Sequence, residues 1–131
     1  MDTTDTHEEI NTIIQNLFES QVYAHYNHLN TRSYAIHKAL GNYYEGIAGH
    51  IDELGELYMG EQPPSFLLTI PDSIQIPMNF SETMPHKYFD ELGDTLDEIL
   101  ENGDFSEVFS DRLRATIAFI RTTVYLLSRL K

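Results

Sequence analysis

The sequence predicts an all-α protein: a four-helix bundle with a long, Pro-containing connection between its second and third helices. Three observations carry this. Apolar residues recur at helical spacing in four separate stretches. Short polar or capping segments divide the first stretch from the second and the third from the fourth. Pro63, Pro64, Pro71 and Pro77 crowd the one long stretch that lacks any period. At 131 residues the chain reads as a single domain, 1–131, able to bury a sizeable core.

The first helix is expected from about residue 7 to 28, where Thr6 and Glu9 form a capping-box signature and Ile10, Ile13, Ile14, Leu17 and Phe18 make the apolar stripe. Asn27 to Thr31 is a polar turn, and the second helix follows from about Arg32 to Gly60. Gly41, Gly46, Gly49 and Gly55 each cost roughly 1 kcal/mol against alanine in a helix interior. That cost predicts close approach by another helix, from this chain or a second copy. Residues 61–83 form a crossover with extended pieces, Phe66–Ile70 and Ile74–Met78, that covers a core or an interface. The third helix spans about Pro85 to Glu101, striped by Phe89, Leu92, Leu96, Ile99 and Leu100, and Asn102-Gly103 stops it. Asp104 with Glu107 is expected to cap the fourth, which runs through Leu113, Ile117, Ile120, Val124, Leu127 and Leu130 to the end. Four helices with one long second-to-third connection belong to the ferritin-like class of bundle.

Composition removes several function classes. Without cysteine there is no disulfide framework, zinc-thiolate site or thiol nucleophile. No apolar run is long enough to span a membrane and the polar start, Met1–Glu9, is no signal peptide, so a cytoplasmic location is the expectation. A net charge of −13 repels phosphate backbones and argues against nucleic-acid binding. Arg112, Arg114, Arg121, Arg129 and Lys131 gather late and read as favourable charge on the last helix. The acidic run Asp90, Glu91, Asp94, Asp97, Glu98 and Glu101 reads as a solvated face. No nucleophile elbow, phosphate-binding Gly loop or dinucleotide fingerprint occurs.

His25, His37, Asp52 and Glu56 are the candidate metal ligands, because imidazole and carboxylate together suit iron. His25 and His37 are equidistant from Thr31, which predicts that they face each other across a hairpin. Asp52 and Glu56, one turn apart, share a face. His37 and Asp52 are separated by about 22 Å along one helix at ~1.5 Å per residue, so a common site needs two subunits. His28 is expected to be exposed and His50 structural or exposed. Tyr23, Tyr26, Tyr34, Tyr43 and Tyr44 are expected in the core or an interface.

The segments Ala24-His25-Tyr26-Asn27, Ile36-His37-Lys38-Ala39-Leu40 and His50-Ile51-Asp52-Glu53-Leu54-Gly55-Glu56 resemble the mini-ferritins, the DNA-binding proteins from starved cells known as Dps. The resemblance is concentrated in residues 20–60 and extends to Ala115–Leu130. It implies non-haem iron as the metal. It further implies a ferroxidase oxidising Fe(II) with peroxide or oxygen at intersubunit sites, for iron storage and oxidative protection. In that scheme His25 and His37 come from one chain and Asp52 and Glu56 from its mate, with Glu56 bridging. It also implies a homodimer and a higher oligomer or cage. Where the family often has a carboxylate one turn after the second histidine, this chain has Gly41, and it lacks a lysine-rich N-terminal tail. The alternative from another class is a catalytically silent bundle acting as an interaction or structural protein.

Overall fold

A computed structural model describes residues 3–129, with side chains from Asp5 onward; Leu130 and Lys131 lie outside the described residues. Four helices, α1 (Thr3–Asn30), α2 (Tyr34–Gly60), α3 (Lys87–Asn102) and α4 (Glu107–Ser128), account for all the regular structure described. The fold is the expected all-α four-helix bundle.

Helix ends show where local signals were overridden. α1 begins before Thr6, so the Thr6–Glu9 pair lies inside the helix rather than at its cap. Ser33 caps α2, its hydroxyl accepting from the Ile36 N–H at 3.2 Å. Ser106, not Asp104, caps α4 by accepting from the Phe109 N–H at 3.1 Å. Ser106 also donates to Glu61 Oε2 at 2.6 Å, which ties the start of α4 to the end of α2. The shift follows from Gly103. A Cβ there would sit 2.5 Å from the Phe105 ring, so the chain folds Phe105 back over a bare glycine before the helix starts.

α1 packs against α2, α2 against α4, α4 against α3, and α3 against α1, a square with no diagonal packing among the described residues. Contacts between α2 and α4 run antiparallel, from Gly46–Phe119 through His50–Thr116 and Glu53–Arg112 to Tyr58–Phe109. Therefore α1 and α4 point one way, and α2 and α3 the other. Two consecutive helices pointing the same way need a connection that returns the length of the bundle. Residues 61–86 are that connection, a strap without helix or strand.

Four residues along one side of α1 hold the strap. His7 stacks on Phe66 at 4.4 Å and hydrogen-bonds the Tyr58 hydroxyl. Asn11 accepts from the Thr69 N–H at 2.9 Å, Glu19 accepts from the Gln75 N–H at 2.7 Å, and Tyr23 meets Phe80. At the far end Thr31 and the Arg32 N–H both donate to Glu82, which holds that carboxyl below its usual range. Phe66, Leu68, Ile76 and Phe80 press against the core, so covering the core is indeed one job of the strap.

Candidate functional site

The hairpin between α1 and α2 carries a histidine cluster, but not the expected one. His28, not His25, faces His37: their rings stack at 3.7 Å, 18° from parallel. Each Nδ1 lies within hydrogen-bond reach of the other residue's carbonyl oxygen, at 2.6 and 2.7 Å. A carbonyl only accepts, so both Nδ1 atoms carry a proton. His25 is exposed and stacks on Tyr44 at 4.0 Å. The displacement has a geometric cause. Side chains lean toward the N-terminus of their own helix, away from the turn on α1 and toward it on α2, so a residue of α1 meets a partner on α2 that lies farther from the turn than equal counting suggests.

Gly41 is explained by the same cluster. A Cβ at Gly41 would sit 3.0 Å from His28 Cε1 and 3.1 Å from its Nδ1, so the half-buried His28 ring occupies that space. Gly46 similarly admits Phe119 of α4, a Cβ there lying 2.6 Å from the ring. Both close approaches come from within this chain. Gly49 has open space around it, and the fold gives no reason for a glycine there.

Asp52 and Glu56 are exposed on the same unbroken helix as His37, and their neighbour Glu53 pairs with Arg112 at 2.9 Å. Among the described residues no three His, Asp or Glu side chains are arranged to hold a metal ion. Within one chain, the candidate ligands His25, His37, Asp52 and Glu56 are therefore not brought together.

Several other polar groups have structural partners. The half-buried His50 donates from Nδ1 to Thr116 Oγ1 at 3.0 Å, because the Thr116 proton is committed to the Arg112 carbonyl. Burial lowers its pKa and keeps it neutral near pH 7. The acidic run on α3 is not simply solvated. Asp90, Asp94 and Asp97 surround Arg121 of α4 at 2.7–3.0 Å, and hydrogen bonding led by Asp94 raises the guanidinium pKa. Gly93 makes room, since a Cβ there would lie 2.7 Å from the Arg121 guanidinium. Tyr23 and Tyr43 are buried as expected, whereas Tyr26 and Tyr34 are exposed. Tyr43 donates to Ser20 at 2.7 Å, the Ser20 proton being used on the Leu17 carbonyl.

Two features went unnoticed in the sequence. Around the strap, Phe18, Ile70 and Ile74 rim an apolar groove of about 410 Å³, with Ile14 and Leu68 in its wall. Ile70 is 89% exposed and Met78 98%. Beside it, a cleft of about 280 Å³ holds Glu19, which is only 8% exposed. The available signal was compositional: residues 3–31 and 61–86 contain no lysine or arginine.

The sequence model of a family of unknown function, DUF5856, matches residues 28–127. The chain belongs to that family. A protein of Enterobacteria phage T4, described as an uncharacterized 14.6 kDa protein in the mobD-ri intergenic region, is 36% identical over 61 residues. That stretch is 47% of this chain and 48% of the phage protein, so the match spans about half of each. No solved structure matches. Membership of DUF5856 overturns the expected kinship with the Dps mini-ferritins, since neither the family nor the phage relative carries any indication of a ferritin. The resemblance rested on a short pattern of polar residues at helical spacing, which any exposed helix face reproduces. In this DUF5856 chain the turn-facing histidines and Gly41 satisfy one another instead. No described helix is long and apolar enough to cross a membrane.

Proposed function

We propose that this DUF5856 chain is an interaction protein that uses the face formed by α1 and the strap to dock a basic, amphipathic segment of another protein. The observation that carries the reading is an exposed apolar groove set in a surface with charge of one sign. Phe18, Ile70 and Ile74 line the groove. α1 and the strap contribute Asp5, Glu8, Glu9, Glu19, Glu61, Asp72 and Glu82 and no lysine or arginine. Exposed apolar patches with polar rims mark partner surfaces. The net charge of −13 opposes pairing of two copies and attracts a cationic partner.

A labelled synthetic helix of alternating leucine and lysine faces tests this by fluorescence anisotropy. Saturable one-to-one binding that falls with salt is expected. Phe18→Ser with Ile70→Ser leaves the charge unchanged and is expected to weaken binding by about tenfold or more, on the scale of two anchors lost from an apolar site. Equal binding by the doubly substituted protein would reduce the interaction to bulk charge and defeat the reading. The cytoplasm is the place of action in this reading.

One observation favours a second reading, binding and oxidation of ferrous iron between two copies. Histidines that ligate metals commonly donate their other ring N–H to a carbonyl, as His37 does to His28. His25 and His37 of one copy would meet Asp52 and Glu56 of another. An anaerobic ferrous-iron titration of the native protein and a His25→Ala/His37→Ala variant decides it. Saturable binding lost in the variant supports this reading, and equal weak binding by both removes it.

A further inference from the structure

We propose that the cleft between α1, the strap and the start of α3 is a binding site for a small organic cation, an alkylammonium or guanidinium group, held between Glu19 and Glu91 beside Tyr88. This cleft shares no lining residue with the docking groove.

Glu19 carries the argument. A carboxylate this far buried is ordinarily paired with a cation. Here Oε2 accepts from Gln15 Nε2 at 3.2 Å and from the Gln75 N–H at 2.7 Å, and no described cation approaches. Its other oxygen, Oε1, has no hydrogen bond among the described residues, yet it is not sealed in the interior. Glu19 belongs to the wall of the 280 Å³ cleft, which Glu91 and Tyr88 of α3 also line. Lys87, one turn before Glu91, is exposed and makes no ion pair among the described residues. The fold has therefore buried a carboxyl group, fixed one of its oxygens with a backbone amide, and left the other without a hydrogen bond among the described residues.

The lining selects the ligand class. Two carboxylates on facing elements match the donors of a guanidinium or ammonium. Pro77 and Leu92 supply apolar wall for an alkyl stem, and Asn16 and Thr95 supply further acceptors. A hard divalent metal is a poorer fit, because no three carboxylates or imidazoles converge among the described residues. The negative field reaches inside the cleft. Burial, then the Glu19 charge, drives the Tyr88 phenol well above its ordinary range, and burial with the Glu91 charge pushes Tyr23 up to about 12.

The test uses ¹⁵N-labelled full-length protein titrated with methylguanidinium or n-butylammonium chloride, with sodium chloride holding ionic strength constant. The Gln75 amide reports directly, because it is bonded to Glu19 Oε2. A saturable shift of that resonance in the millimolar range is expected for at least one probe. Glu91 is exposed, so Glu91→Gln leaves the fold intact and is expected to weaken binding about tenfold, the scale of one charge-assisted hydrogen bond. Glu19→Gln is expected to abolish it, with the melting curve checking that the strap remains docked. A Gln75 response no larger than that to sodium chloride would overturn the proposal. So would equal affinity in the Glu91→Gln protein, or a calcium titration saturating the same resonance more tightly than either organic probe.

Discussion

Gly46 and Gly49 lie one turn apart on α2, and replacing each by alanine is expected to move stability in opposite directions. The gain in helix propensity is the same at both, about 1 kcal/mol. At Gly49 a Cβ meets nothing within 4 Å, so the gain is realised in full. At Gly46 the Cβ would stand 2.6 Å from Phe119 Cζ and 3.1 Å from Cε1. Carbon atoms rest at about 3.5–4.0 Å, so the ring must retreat by about 1 Å. It has little freedom to do so, stacked between Tyr43 at 5.6 Å and His50 at 4.9 Å. Overpacking of this kind costs about 1–3 kcal/mol, which leaves Gly46→Ala less stable than Gly49→Ala by that amount. For a domain of this size each kcal/mol shifts Tm by about 4 °C, so the two variants should melt about 4–12 °C apart. Urea unfolding followed by circular dichroism gives the free energies independently. Phe119→Leu in the Gly46→Ala background should recover part of the loss through a coupling of at least about 0.5 kcal/mol. Equal stability of Gly46→Ala and Gly49→Ala would show that Phe119 is not the reason for the glycine.

Three further outcomes follow from the packing. His50 has a lowered native pKa, so protonation favours the unfolded chain; its contribution is fully present above the unfolded value of 6.5 and is lost as pH falls below it. Urea unfolding at pH 7.5 and 5.5 should therefore show a smaller acid loss in His50→Gln than in the native protein, and an equal loss would refute the assignment. Arg121→Gln removes the cation from among Asp90, Asp94 and Asp97; it should cost about 1 kcal/mol at low salt and visibly less in 1 M salt, since the cluster is partly exposed. Asn11→Ala breaks both side-chain hydrogen bonds to Thr69, and limited proteolysis should then cut the strap near residues 67–73 several-fold faster while the helices stay resistant. Unchanged cleavage would mean that the apolar contacts of Phe66 and Leu68 hold the strap unaided.

The helices were legible because their cause is local. Apolar residues at helical spacing, with Ser, Asn-Gly and Pro punctuation, suffice to place Ile10, Leu17, Leu40, Ile47, Leu96 and Leu113 in one core, and all six are fully buried. The histidine constellation was legible only as residue types. Equal distance from Thr31 paired His25 with His37, but the lean of side chains on antiparallel helices gave His28 that place and left His25 on Tyr44. The resemblance to mini-ferritins failed for a related reason: exposed polar residues at helical intervals carry little information about a shared site.

From the sequence by itself came the all-α class, the four helices, the long connection and the acidic surface, because propensity, periodicity and charge belong to each stretch of chain. The tertiary structure alone decided that Gly46 admits Phe119, that three aspartates of α3 close on Arg121, and that His7, Asn11, Glu19 and Tyr23 of α1 hold down residues 61–86. It alone decided that Glu19 is buried with no cation beside it among the described residues. Each of these depends on which helix faces which, and side chains distant in sequence meet only after the bundle has chosen its neighbours.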